Sequence, residues 1–378
     1  MKLKGLSLFA NVGIAETYLS EIGIDIIIAN EIDDKRARFY TEMYPKTKMI
    51  VGDIREKKIS NKIIKLSSKI DLIIATPPCQ GMSTVGKMEK SDPRNNLITD
   101  TINLIKKIKP KYVLLENVPE QLKTKIKIEN DTYLIPNYIK KELGNNYTFN
   151  SKVFNTKNYS VPQSRERSIF LLSRNDQKYI WESPKEDIEE ITMKQAIGNL
   201  PSLDPLISDL PYEEHLKIFP EYEKKFKKGL KISPYHKPVS HVYRQVYSLM
   251  HTPSGKSAFE NVNKYKPIKK NGDFVKGFKN TYKRMDWNKP CNTITTYNRT
   301  IGSQENVHPG RLMKNKHGED TYTDPRVLTL YEIIILSSLP VKWSYPTWAS
   351  ENFVRTVIGE GIPPLLVKKI CNQLIKNI

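Results

Sequence analysis

Residues 71–83 read DLIIATPPCQGMS, an apolar run closed by two prolines, a cysteine, a glycine and small polar side chains. A thiol in that setting can be inert packing, a redox or metal ligand, or a nucleophile at the rim of a pocket. Consecutive prolines cannot extend a central strand and they stiffen the turn that follows, while Gly81 lets the chain swing away. Those neighbours would expose and orient Cys79. A thiolate there attacks an electron-poor carbon once nearby positive charge lowers its pKa. Glu116 closes a second apolar run, YVLLEN (112–117), and faces the same crevice if the two runs are neighbouring strands. Kept protonated or sharing a proton, it would donate to a ring nitrogen and make the ring more electrophilic. Cys291 and Cys371 read as packing residues. The three cysteines form no CxxC pair, so neither a disulfide scaffold nor a structural metal site is expected.

Other strand ends carry ligand-competent residues. The first apolar segment ends in FANVG (9–13), the second in NEID (30–33) and the third in GDI (52–54). An acid closing a second strand is where a ribose is gripped through its hydroxyls, and an acid after the third can accept from an adenine amino group. Each alone is equally explained by helix capping, the favoured reading for Asp33. Together they outline a nucleoside pocket. FANVGIA lacks the glycine density of a phosphate-cradling loop, so a nucleoside without pyrophosphate, S-adenosylmethionine, fits better than a dinucleotide.

These residues need a scaffold, and the first third supplies one. Strand-like segments at 3–9, 24–30, 49–51, 71–75 and 112–117 alternate with helix-like segments at 13–22, 33–44 and 94–108. That rhythm predicts an α/β fold with a doubly wound, mostly parallel sheet, which binds ligands beyond the carboxyl ends of its strands. The texture changes over 181–323, where prolines are frequent, Lys and Tyr interleave, and all six histidines lie. This stretch reads as a smaller irregular domain between a first domain at 1–180 and a C-terminal segment at 324–378 that completes it.

The 378 residues are 38% hydrophobic, enough for a generous core, and Lys+Arg exceed Asp+Glu by 61 to 41 for a formal charge of +20. Such an excess suits a polyanion such as nucleic acid, although a codon-biased Lys-rich surface would give the same number. No segment approaches a membrane span and the N-terminus has no secretory pattern, so a cytoplasmic protein without membrane contact is expected.

TPPCQG (76–81), ENV (116–118), QSRER (163–167) and RVLTLYE (326–332), in that order, resemble the cytosine carbon-5 DNA methyltransferases of prokaryotic restriction-modification systems. The resemblance covers nearly the whole chain except the middle domain. It implies a class I S-adenosylmethionine-dependent, Rossmann-like fold with a target-recognition domain. It also implies methyl transfer to carbon-5 of a cytosine flipped out of double-stranded DNA, through a covalent Cys79 adduct. Phe9, Asn11, Gly13, Glu31, Ile32, Asp53, Ile54, Pro77 and Leu97 match the cofactor pocket. Cys79, Glu116, Arg165 and Arg167 match the catalytic positions, with Arg165 near the base. RVLTLYE should be a helix packed under the recognition domain.

Three residues depart from the family pattern. Asn11 and Ile14 stand at the first and third glycines of a Phe-x-Gly-x-Gly-Gly opening, and Glu360 replaces an asparagine late in the chain, where it is expected to crowd Glu31. The glycine-bearing GMSTVGKMEKSDPRNN (81–96) should form a lid over the DNA. TITTYNRTIGSQENVHPGR (293–311) is the expected reading surface, through Arg299, Ser303, Gln304, Asn306 and Arg311, against the alternative of an ordinary surface loop. A monomer is expected, with a cognate endonuclease acting on the same site without direct contact. The rival readings are a transfer RNA cytosine methyltransferase, a DNA-binding regulator of the same fold without catalysis, and a nicotinamide-dependent oxidoreductase.

Overall fold

The computed structural model describes residues 2–78, 97–315 and 317–378; Cys79 and the expected lid lie outside the described residues. The first half alternates strand and helix: β1 (Leu3–Leu8), β2 (Ile24–Glu31), α1 (Asp34–Met43), β3 (Lys48–Val51), α2 (Lys57–Leu66), β4 (Leu72–Ala75), α3 (Leu97–Ile108) and β5 (Tyr112–Asn117). A hairpin of β6 (Lys125–Ile128) and β7 (Asp131–Leu134) leads to α4 (Ile135–Leu143). Two longer strands follow, β8 (Tyr147–Asn155) and β9 (Glu166–Arg174).

Among the described residues the main sheet has seven strands in the order β3-β2-β1-β4-β5-β9-β8. The pairs among β1 to β5 are parallel, and β9 runs antiparallel to both β5 and β8. The chain winds outward from β1 to β3 and then resumes at β4 on the other side of β1. That reversal leaves a crevice at the carboxyl ends of β1 and β4, the place where open α/β sheets bind ligands. β4 and β5 are buried at every residue, which explains their unbroken apolar sequence.

The stretch 13–22 does not form the expected α-helix. Phe9, Asn11 and Gly13 take left-handed backbone angles (φ 58°, 49° and 83°), and the chain proceeds through turns to a short 3-10 segment, Ser20–Ile22. Within the stretch the left-handed Gly13 breaks the right-handed run at its start, and the residues after it close tighter i→i+3 turns in place of a helical ladder. Gly13 is required where it stands, because a Cβ there would lie 2.2 Å from the Tyr44 ring.

Beyond β9 the elements are short: α5 (Met193–Ile197), β10 (Leu206–Ile207), α6 (Tyr212–Ile218), α7 (Tyr222–Ile232), β11 (Ser240–His241), α8 (Tyr243–Met250), β12 (Leu312–Lys314) and β13 (Asp320–Tyr322). Two small apolar clusters hold this region, one around Leu249, Tyr282, Ile301 and Val307, the other around Phe219, Tyr222 and Val246. Three further helices follow, α9 (Leu330–Leu336), α10 (Glu351–Glu360) and α11 (Pro364–Ile375). Met193 and Ile197 of α5 pack in one cluster with Leu330, Ile333 and Val357 of α9 and α10.

Helices α2, α3 and α4 cover one face of the sheet, where Ile63, Ile102 and Ile139 meet Leu6, Ile73 and Val113. α11 covers the other, with Leu366, Ile370 and Leu374 against Leu3, Leu72 and Leu114. Below α9 lies a buried ion cluster. Arg326, 0% exposed, reaches Asp324 at 2.8 Å and Glu332 at 2.9 Å, and Thr329 and Glu332 form the capping box of α9. Both carboxyls are held far toward the ionised form by His308 and Arg326, Glu332 down to about 2, despite burial. RVLTLYE is thus a cap, an ion cluster and a helix start in seven residues.

Candidate active site

The carboxyl ends of β1, β2, β4 and β5 open into a cleft of about 1070 Å³ among the described residues. Phe9, Asn11, Glu31, Ile32, Asp53, Ile54, Pro77, Leu97, Glu116, Arg165 and Arg167 all line it. Among the described residues, the cofactor and catalytic positions expected from the sequence therefore converge on one cavity, except Gly13. Gly13 sits behind it as a buttress, its carbonyl accepting from the Tyr44 hydroxyl at 2.6 Å.

One end of the cleft suits a nucleoside. Glu31, at the last residue of β2, is buried, and its carboxylate accepts from the backbone N–H groups of Asn11 (2.8 Å), Ile32 (2.9 Å) and Asp33 (3.0 Å). Three backbone donors fix its orientation, and a carboxylate still has lone-pair capacity beyond them. Ile32 is 61% exposed although large and apolar, a shelf with no protein cover. Asp53 is gripped by Arg55 through its side chain and backbone, and those hydrogen bonds hold its carboxyl below the usual range. Asp33 caps α1 through Arg36 N at 2.8 Å, as its capping reading requires.

The other end carries a buried carboxyl between two arginines. Glu116 lies at the penultimate residue of β5, 8% exposed, and pairs with Arg167 Nε at 2.8 Å. Burial raises the Glu116 pKa, and Arg167 and Arg165 offset only part of that rise. The antiparallel β5–β9 pairing is what brings Arg167 beside it. Arg165 is 4% exposed and donates to three carbonyls: Ile294 at 3.0 Å, Gly359 at 2.9 Å and Glu360 at 3.0 Å. It thereby ties this wall of the cleft to α10 and to the 293–311 stretch. Pro77 and Pro78 line the cleft directly before Cys79 in sequence, and Asn117 Nδ2 holds the Pro77 carbonyl at 3.0 Å. Cys291 and Cys371 are fully buried, and burial pushes both thiols up, Cys371 to about 12.

The departures from the family pattern meet one another. Asn11 Nδ2 donates to Glu360 Oε2 at 2.8 Å, and Arg36 Nη2 donates to Glu360 Oε1 at 2.9 Å. Ile14 packs on Gly361, where a Cβ would sit 2.9 Å from its Cγ2. The expected crowding of Glu31 by Glu360 is answered by these two donors. Arg36 went unnoticed in the sequence, where its only signal is its place in the first turn of α1.

The expected reading surface divides. Arg299 and Gln304 are exposed, Ser303 is half-buried, and Gln304 reaches the cleft wall. Asn306 is 2% exposed with its amide bonded to the Tyr297 carbonyl at 3.0 Å. Arg311 lies over the Trp287 ring and donates to the carbonyls of Gly198 and Leu200. These last two are scaffold: packing and backbone bonds occupy the groups that would read a base. Asn280, also on the cleft wall, was missed, since nothing distinguishes it among the polar residues of its loop.

A family model described as C-5 cytosine-specific DNA methylase matches residues 3–376. The chain is 42% identical to the Type II methyltransferase M1.HgaI of Avibacterium volantium, over 99% of each protein. It is 26% identical to the Type II methyltransferase M.DdeI of Desulfomicrobium norvegicum, over 98% of this chain and 88% of that one. Among solved structures, a putative DNA modification methyltransferase from an Escherichia coli prophage superposes with a TM-score of 0.65 at 20% identity, covering 99% of both chains. A Spodoptera frugiperda DNMT2 mutant superposes with a TM-score of 0.58 at 16% identity, again over 99% of both. Family match, relatives, sheet order and strand-end cleft agree: this chain belongs to the C-5 cytosine-specific DNA methylases, enzymes that methylate DNA and of which Type II restriction-modification systems hold many.

Proposed function

We propose that the protein methylates carbon-5 of one cytosine within a short DNA sequence, as the modification enzyme of a restriction-modification system. The observation that carries this reading is the single cleft that joins a nucleoside-binding end (Glu31, Ile32, Asp53) to a buried acid (Glu116) flanked by Arg165 and Arg167. S-adenosylmethionine fits the first end, with Glu31 toward the ribose, Ile32 and Ile54 against the adenine, and Asp53 toward its amino group. When bound, it supplies an electrophilic methyl on a sulfonium centre. The Cys79 thiolate adds to carbon-6 of the cytosine while Glu116, whose pKa burial raises, donates to N3 in its protonated form. Together these raise electron density at carbon-5, the methyl acceptor. Loss of the carbon-5 proton to a base and elimination of the thiol restore the ring and the enzyme.

Carbon-5 is stacked inside a duplex, so the cytosine must be extruded into the cleft. The basic chain supports phosphate contact along the region 181–323, and exposed Arg299 and Gln304 are the side chains proposed to reach base edges.

Deamination sequencing of a plasmid carrying the gene, grown in a methylation-free host, tests this directly. Cytosines protected at one recurring sequence, and converted when Cys79→Ala replaces the wild type, are expected. A fully converted wild-type plasmid from cells that contain folded protein would refute DNA methylation and favour an RNA substrate.

A further inference from the structure

Between residues 264 and 283 seven lysines stand against one acid, Asp273. The middle of this stretch is a short two-stranded arm. Lys269 N donates to the Asp273 carbonyl at 2.7 Å, Val275 N donates to the Pro267 carbonyl at 2.9 Å, and Ile268 bridges antiparallel to Phe274. The loop closes through Gly272 N on the Lys269 carbonyl at 3.1 Å, with Gly272 at φ 90°. A three-residue hairpin loop of this kind takes glycine at its left-handed position. The root is fixed, because Pro267 is buried and Arg244 Nε donates to the Ile268 carbonyl at 3.2 Å. The tip is open: among the described residues no atom lies within 4 Å of where a Gly272 Cβ would sit.

What the arm exposes indicates its partner. The ion pairs of this region are made by Lys256, Lys264 and Lys283, with Glu260, Glu319 and Glu305. Lys269, Lys270 and Lys276 are exposed and take part in no ion pair among the described residues. Asp273 accepts from the Asn271 amide within the loop. Single apolar side chains scattered over a surface are ordinary. Here Ile268 and Phe274 pair across the two strands at 38% and 55% exposure, and Phe278 at the foot of the arm is 80% exposed. Lysines interleaved with uncovered apolar groups suit a nucleic-acid backbone, whose phosphates meet the charge and whose sugars meet the apolar faces. From the foot the chain runs directly to Asn280 on the cleft wall, where the Asn280 carbonyl accepts from Glu305 N at 2.9 Å.

We propose that the arm 267–276 grips the backbone of duplex DNA flanking the target site, whatever the sequence of that flank. This rests on the DNA reading above and adds a contact outside the stretch 293–311. From the Ile268–Phe274 bridge to its tip the arm spans three residues, about 10 Å, the length of roughly three base pairs. The arm holds the duplex while Arg299 and Gln304 select the sequence, so affinity and selectivity reside on different segments.

The test is the salt dependence of binding by the full chain, read by fluorescence anisotropy on two duplexes. One carries the sequence protected in deamination sequencing and the other is unrelated. Lys269→Gln, Lys270→Gln and Lys276→Gln combined should flatten the slope of log affinity against log salt by about 2–3 on both duplexes. The ratio of the two affinities should change by less than about twofold. The same exchange at Lys58, Lys62 and Lys65, exposed on α2, controls for net charge and should leave the slope as it is. Melting curves verify that each variant is folded. An arm variant with the wild-type slope, or one that loses selectivity between the duplexes, would overturn the grip and leave the DNA reading standing. An unchanged slope together with lost binding to phosphatidylserine vesicles would overturn it in favour of a lipid surface. Wild-type protein that binds neither duplex would remove the DNA reading and the arm with it.

Discussion

Glu16 lies under the Asn11–Gly13 loop, and its carboxyl is a pH-sensitive point in the fold. It is buried, and it accepts from the Tyr40 hydroxyl. Burial raises its pKa from 4.5 to about 7, against smaller opposing contributions from hydrogen bonds with Ser7 and Tyr40. The Tyr40 and Tyr44 hydroxyls beside it are pushed upward and remain neutral over the same range. Between pH 4.5 and 7 the unfolded chain releases this proton while the folded chain keeps it. Stability is therefore full below the unfolded value and declines until the folded pKa is passed. At about 1.4 kcal/mol per pH unit, the loss reaches about 3 kcal/mol. Glu16→Gln retains an acceptor for Tyr40 and cannot ionise, so its stability should lack this slope. The assay is urea unfolding at intervals from pH 4 to pH 9, with the difference between wild type and variant plotted against pH. The variant should gain on the wild type by about 3 kcal/mol across that range, mostly between pH 5 and pH 7.5. A difference independent of pH would refute the reasoning, because it would mean that Glu16 ionises alike in both states.

Glu116→Gln should lower the rate of methyl transfer by about 10²–10⁴-fold, with DNA binding and S-adenosylhomocysteine binding little changed, as read by single-turnover kinetics and titration. Arg326→Met leaves Asp324 and Glu332 buried without their shared cation, and should destabilise the protein by about 3–5 kcal/mol in denaturant unfolding. Exchanging Arg299 or Gln304 for alanine should alter which sequences are protected, with about 1–3 kcal/mol of discrimination lost per base contact. The matching substitutions at Asn306 and Arg311 should reduce stability without changing the sequence chosen.

The parts of the fold legible in the sequence were those governed by local pattern. β4 and β5 announce themselves as unbroken apolar runs because both faces of the sheet are covered. Acidic and small residues at the strand ends mark the cleft because parallel sheets present those ends to ligands. The failures came from conformation and distance. A helix over 13–22 is expected from the sequence, yet the left-handed Gly13 and the tight turns after it divert the chain. The Glu360 contact joins residues 349 positions apart, and no windowed pattern reports such a pair. Asn306 and Gln304 look equally fit to read bases, and only burial separates them. Cys79 was assigned from its prolines and its family motif, and it lies outside the described residues.

The reach of Arg165 has a consequence for synthesis. Its guanidinium binds carbonyls at Ile294 and, 195 residues downstream, at Glu360, while α11 supplies the cover for one face of the sheet. At 5–20 residues per second, roughly 10–40 s separate the making of that arginine from the making of its last partner. Throughout that interval the growing chain has an uncovered apolar sheet face and a half-built cleft. A growing chain that lacks these segments has no complete cleft, so the interval between synthesis and activity includes this assembly delay.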